Sequence, residues 1–158
     1  MADSLTKKAS VDRLELIEPC TEADWAAYFD LRWRILRAPW QQPRGSERDD
    51  LDSSSYHLMF RDPDGLAAAV GRFQLNSPLE GQVRYMAVAE SWRGKGLGGR
   101  ILAGLEAFGR SKAVKEVVLN AREQATPFYI RYGYRIEGPA DTLFGEVRHV
   151  RMRKRLSA

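Results

Sequence analysis

Apolar positions along this chain fall into alternating runs and helical stripes that mark out a single folding unit. Arg13–Glu18, RLELIE, alternates in polarity and predicts a first strand, which Pro19 ends. Thr21 stands where a helix N-cap is expected, with Asp24 three positions on to complete a capping box. Trp25, Phe29, Trp33 and Leu36 recur at helical spacing, so residues 22–37 predict an amphipathic helix with that stripe turned to the core. Pro39 and Pro43 stop it, and Trp40–Ser55 reads as a loop or short helical turn. Strands are expected at Tyr56–Phe60 and Leu66–Leu75, joined by the hairpin turn Arg61-Asp62-Pro63-Asp64-Gly65. Asn76–Gly81 turns the chain into another strand at Gln82–Ala89. Leu97, Ile101, Leu102, Leu105 and Phe108 then form the apolar stripe of a second helix. Lys115–Ala121 predicts a short buried strand. Gln124–Tyr132 predicts a helix, with Pro127 in its first turn and Gly133 as its C-terminal stop. Tyr134–Glu137 and Val147–Lys154 supply two last strands across the loop Gly138–Glu146. The order is that of a mixed α/β (α+β) domain.

Composition narrows the class. With 158 residues, 44% apolar and 29% charged, the chain suits one soluble domain over 11–158 behind a polar stretch, 1–10, expected to be a flexible tail. No apolar run approaches the roughly 18 residues of a membrane span, and MADSLTKKAS lacks the apolar core of a signal peptide. The single cysteine, Cys20, suits a reducing compartment, so the expectation is cytoplasmic with no membrane partner. A net charge of +4 permits an acidic ligand without demanding nucleic acid. The basic end Arg148, Arg151, Arg153, Lys154 and Arg155 lacks interleaved aromatics, so no nucleic acid is expected and the run reads as an exposed strand edge and tail. Glu47, Asp49, Asp50 and Asp52 read either as a solvated turn or as an attraction for a cationic amine. Two histidines and one cysteine, far apart, make no metal site.

The chemistry concentrates between a strand and a helix, at Arg93-Gly94-Lys95-Gly96-Leu97-Gly98-Gly99. Glycines allow positive φ and close approach of a ligand, and helix N-terminal N–H groups favour anions, so this loop predicts a phosphate-bearing ligand. Gly96 stands after Lys95 where a Walker loop needs Ser or Thr. Gly94, Gly96 and Gly99 match G-x-G-x-x-G, but Glu90–Arg93 separate them from the strand, and too little chain follows for a doubly wound sheet.

Arg93-Gly94-Lys95-Gly96-Leu97-Gly98 also fits R-x-x-G-x-G, preceded by Met86-Ala87-Val88. About thirty residues on, Phe128-Tyr129-Ile130-Arg131-Tyr132-Gly133-Tyr134 follows F/L-Y-x-x-x-G-F/Y. Together these resemble the GNAT N-acetyltransferase superfamily. The ending Glu146-x-x-His149-x-x-Met152 is similar to the ElaA-like branch, although Val147 and Arg148 replace its usual residues. The resemblance implies a curved mixed sheet of about seven strands with about four helices, splayed between its fourth and fifth strands. It further implies acetyl-CoA as co-substrate and transfer of acetyl to a small-molecule or protein primary amine by direct attack in a ternary complex. Met86, Ala87, Val88, Arg93, Gly94, Lys95, Gly96, Leu97, Gly98, Gly99, Asn120 and Tyr129 are the implied donor-binding residues. Tyr129 is the implied acid for the leaving thiolate, with Glu146, His149 and His57 as candidate bases. The loops Trp40–Ser55 and Gly138–Glu146 and the end of the first helix should wall the acceptor. A homodimer stays open. So does a non-catalytic acyl-CoA-binding module on the same fold.

Overall fold

The computed structural model describes residues 10–157, so the tail expected at 1–10 falls outside the described residues except for Ser10. Its strands are β1 (Glu15–Ile17), β2 (Tyr56–Arg61), β3 (Ala67–Leu75), β4 (Glu80–Val88), β5 (Glu116–Arg122), β6 (Arg135–Pro139) and β7 (His149–Arg155). The α-helices are α1 (Glu22–Leu36), α2 (Leu97–Ser111) and α3 (Thr126–Arg131). The family resemblance implied about four helices. The described residues form three α-helices, and the segment after α1, which carries Pro39, Pro43 and Gly45, holds only 3-10 turns at Ala38–Trp40 and Asp52–Ser54.

The seven strands make one mixed sheet in the order β1-β2-β3-β4-β5-β7-β6. Neighbours are antiparallel except β4 and β5, which run parallel. β7 therefore lies inside the sheet, between β5 and β6, and the expectation of a basic exposed edge is corrected. Acids remote in sequence converge on it. Arg153 meets Glu80, Glu116 and Glu137, Arg151 meets Glu137, and Lys154 meets Glu106.

β3 is buried on both faces along most of its length. Gly71 faces α2 so closely that a Cβ there would lie 2.6 Å from Ile101 Cγ2 and 2.7 Å from Met86 Sδ. Leu97, Ile101, Leu102 and Leu105 of α2 are buried as the stripe predicts. Full burial of each stabilises the fold by roughly 1.5–3 kcal/mol.

The other face of β3 carries Arg72 toward α1, where the predicted stripe needs correction. The capping box at Thr21 forms, but the buried residues of α1 are Asp24, Tyr28, Leu31 and Arg32. Trp25, Phe29, Trp33 and Leu36 are only half-buried. Arg32 can turn inward because it donates to Asp52 Oδ1 at 2.9 Å, to the Tyr28 hydroxyl at 2.9 Å and to the Glu47 carbonyl at 3.0 Å. Arg72 shares Asp52 at 2.9 Å and adds Asp49 at 2.6 Å. Two guanidiniums can be buried together because the loop acids pair with both. Glu47, Asp49 and Asp52 are thus committed to internal contacts, while Asp50 alone of the four is exposed.

Candidate active site

The site originates in a backbone irregularity. In β3–β4 pairing, Val70 faces Ala87 and Arg72 faces Arg84, so Gly71 alone opposes both Tyr85 and Met86. Tyr85 takes φ 57°, a left-handed conformation rare for a bulky residue. The bulge bends β4, and its parallel pairing with β5 extends only from Glu80–Val83 to Glu116–Leu119. Beyond that point β4 keeps β3 and β5 keeps β7 as neighbours, and a wedge opens between them. The resulting cleft measures about 350 Å³.

Met86, Ala87 and Val88 line one wall of the cleft, and Asn120, Ala121 and Arg122 the other. Arg93 lines it where the glycine loop leaves the sheet. Gly94 and Gly96 have φ of 76° and 80°, and nothing lies within 4 Å of where a Cβ would stand on either. Gly96 caps α2 with no side-chain hydrogen bond to the first turn. That turn's N–H groups therefore remain available to an anion. The other members of the loop have different surroundings. Leu97 buries its side chain in the core, leaving its backbone to the loop. Gly98 sits under Phe128, and a Cβ on Gly99 would overlap the Tyr132 hydroxyl, so both glycines also let α2 and α3 pack closely. Lys95 is exposed.

Tyr129 reaches the cleft from α3. Its ring is buried edge-on against Phe128 and Tyr134, with centroids 4.9 and 5.9 Å away. Its hydroxyl has no hydrogen-bond partner among the described residues. Burial pushes that hydroxyl's pKa well above the ordinary phenol value, a rise that nearby Arg122 partly offsets. Tyr134 instead donates to Glu106 at 2.8 Å.

The three candidate bases separate. His149 lines the cleft at the start of β7. Its Nδ1 lies 2.9 Å from the Val147 carbonyl, which can only accept, so the neutral ring carries its proton there and leaves the Nε2 lone pair. Glu146 is exposed on the Leu143–Val147 turn and does not line the cleft. His57 is buried beside α1 outside the cleft. Its Nδ1 lies 2.7 Å from the Tyr28 hydroxyl and its Nε2 lies 2.8 Å from the Asp52 carbonyl, so both nitrogens are engaged. Cys20, exposed, is also absent from the lining.

The remaining wall was only partly foreseen. Trp40 and Phe144, from the two expected loops, stack with centroids 6.2 Å apart. Arg37, Arg84, Tyr85 and Arg122 join them in the lining, and none of these carried a motif. Tyr85 enters through the bulge, which no periodicity reveals. Phe144 and Gly145 both take positive φ in the tight turn that links the Leu143–Val147 bridge, and of the two only Gly145 is a residue whose type signals such a turn.

A family model described as an acetyltransferase (GNAT) domain matches residues 40–156. In sequence the chain is similar to the uncharacterized N-acetyltransferase YjcF of Bacillus subtilis. The two are 31% identical over 126 residues, covering 80% of this chain and 89% of that protein. In fold it is similar to Escherichia coli ElaA, with a TM-score of 0.75 at 19% identity over 89% of this chain and 99% of that one. It is also similar to a GNAT family acetyltransferase from Elizabethkingia anophelis with acetyl-CoA bound. There the TM-score is 0.73 at 16% identity, over 92% of this chain and 99% of that one.

Proposed function

This chain belongs to the GNAT acetyltransferase family, and from that premise we propose that it transfers the acetyl group of acetyl-CoA to a primary amine by direct attack. The observation that carries this reading is the convergence on one cleft of Arg93, at the head of the glycine loop, the β5-facing edge of β4 and the unpartnered Tyr129 hydroxyl; Gly94–Gly99 themselves lie outside its lining. The donor-binding residues fit the group. The free space over Gly94 and Gly96, the uncapped first turn of α2, Arg93 and Lys95 suit a pyrophosphate. The edge of β4 over Met86–Val88, which lacks a strand neighbour, suits the amide-bearing pantetheine arm. A backbone N–H there, that of Val88 by family resemblance, would polarise the thioester carbonyl. Asn120 faces it from β5.

In the reaction the amine nitrogen attacks the thioester carbon, a C–N bond forms and the C–S bond breaks. His149 Nε2, directly or through water, takes the proton the amine loses. Tyr129 gives its hydroxyl proton to the departing thiolate. The phenol is protonated at neutral pH, as a donor must be; burial makes it a weaker acid, which nearby Arg122 partly offsets. Glu146, outside the cleft, has no part in this scheme.

Steady-state kinetics of Tyr129→Phe test the reading. Turnover should fall by roughly 10²–10⁴-fold, while the KM for acetyl-CoA changes little, because the ring and its packing remain. Unchanged turnover would remove Tyr129 from the mechanism. Acetyl-CoA binding without acetylation of any amine would favour a binding module instead.

A further inference from the structure

The acceptor half of the cleft is cationic. Arg37, Arg84, Arg93 and Arg122 line the whole cleft, against one lining carboxylate, that of Asp141, which is exposed. Arg93 belongs to the donor's glycine loop. The other three line it beside Trp40, Tyr85 and Phe144, and Arg122 is close enough to Arg93 to feel its charge. The Arg37 guanidinium lies 5.4 Å from the Phe144 ring centroid and 5.6 Å from that of Tyr85. Arg122 lies 4.5 Å from Trp40, and Arg84 lies 4.8 Å from Tyr85.

These charges are poorly compensated. Arg37 donates only to backbone carbonyls, those of Ser46 and Leu36, at 3.0 and 2.9 Å. Arg122 donates to the Ile35 carbonyl at 3.2 Å. Neither has a carboxylate partner among the described residues. Arg84 has a 3.3 Å contact with Asp49, a carboxylate that already binds Arg72 at 2.6 Å. Burial, then the charges of Arg84 and Arg32, hold Arg37 below the ordinary guanidinium pKa. Burial, then Arg37 and Arg93, do the same to Arg122. Clustered, half-buried guanidiniums without anions are costly unless a ligand supplies the missing charge. Their planar donor forks match a carboxylate.

We propose that the acceptor is a small primary amine bearing a carboxylate, held by Arg37, Arg84 and Arg122 against the Trp40–Phe144 wall with its amine toward the thioester. This deepens the transferase reading and rests on it. It also replaces the expectation of a cationic acceptor, because Asp49 and Asp52 are paired with Arg32 and Arg72, Glu47 with Arg48, and none of the four loop acids lines the cleft. A cleft of about 350 Å³ shared with the acetyl end of the donor suits a small acceptor.

The test uses acceptors paired as carboxylate and amide, compared at equal concentration of free amine. Phenylalanine and β-alanine are compared with phenylalaninamide and β-alaninamide, with putrescine as a cationic control. The carboxylates should show a kcat/KM roughly 10–100-fold higher, the range of one or two charge-assisted hydrogen bonds. Arg84→Gln, on a half-exposed side chain, and Arg37→Gln should each raise the acceptor KM and leave that for acetyl-CoA unchanged. Arg37→Lys should recover part of the loss. Equal or better rates with the amides or putrescine would overturn the proposal. So would arginine variants that weaken acetyl-CoA instead. A binding arm separates this failure from failure of the transferase reading. Calorimetry with N-acetylphenylalanine against N-acetylphenylalaninamide, with CoA present, needs no turnover. Carboxylate preference there without acetylation would keep this inference and sink the reaction. Acetylation with no carboxylate preference in either arm would do the reverse.

Discussion

Gly96 shows how one residue can serve both backbone and ligand. Its φ of 80° strains any side chain, yet the space a Cβ would occupy is empty. Nothing in the protein fills that volume, which leaves room for the proposed donor to approach the loop. Gly96→Val should therefore abolish measurable acetyl-CoA binding in calorimetry, beyond the roughly 1–2 kcal/mol that left-handed strain costs the fold. Retained affinity would dissociate the loop from the donor. Gly99 differs, since the Tyr132 hydroxyl already stands where its Cβ would be. The sequence pattern treats these glycines alike, and only their neighbours tell them apart. Phe144 is the converse case. An aromatic residue at φ 54° persists on an exposed turn, and the Trp40 contact gives it a reason to be there.

Among the elements, β4 and α1 build the cleft by different means. β4 does so through the bulge at Tyr85, where two residues against Gly71 turn a continuous strand into a wall. α1 does so through its length and anchorage, because its last residues, Ile35 and Leu36, and the Arg37 that follows reach the lining. Its start is held by reciprocal hydrogen bonds, Asp24 N–H to Thr21 Oγ1 at 3.0 Å and Thr21 N–H to Asp24 Oδ2 at 3.3 Å. Thr21→Ala should cost about 1 kcal/mol, seen as a fall of roughly 2–4 °C in thermal melts. The KM for acetyl-CoA should not move, since the cap lies at the opposite end of the helix from the cleft. The capping box was legible because it is local. The bulge was not, because it is a matter of register between β4 and the separate strand β3.

At the scale of the whole molecule, α1, β2, β3 and the loop after α1 are joined by a polar network. Tyr28, Arg32, Asp49, Asp52, His57 and Arg72 share it. Burial, then the charges of Arg32 and Arg72, hold His57 below the ordinary histidine pKa, despite the pull of Asp52. The unfolded chain therefore binds a proton at this position that the folded chain refuses. Stability rises with pH wherever the unfolded state binds more protons, so it should decline as pH drops below about 6.5. Urea melts between pH 7.5 and 5 should show this decline, and His57→Gln should flatten it even if it lowers stability throughout. A slope unchanged in the variant would place the titration elsewhere. Against the upward push of burial, the arginines hold Asp49 and Asp52 below the ordinary carboxylate range. Their contribution persists above about pH 3.9 and is lost only as pH falls through the lower folded values. The two losses are thus separable by pH. No helix among the described residues is long and apolar enough to cross a membrane.

By itself the sequence determined what depends on neighbours a few positions apart. The strand and helix periods, the cap at Thr21, the glycine loop and the spacing from Arg93 to Tyr129 all act through local backbone geometry. They were enough to indicate the family and to nominate residues for the donor side of the site. Tertiary structure alone decided what depends on charges and faces brought together from afar. It turned Arg32 and Arg72 inward by supplying Asp49 and Asp52, drew β7 between β5 and β6, and took His57 out of the cleft while leaving His149 in it. The proposed acceptor pocket belongs to this second class. Arg37, Arg84 and Arg122 lie far apart along the chain, and their meaning is set by which carboxylates the fold places beside them and which it commits elsewhere.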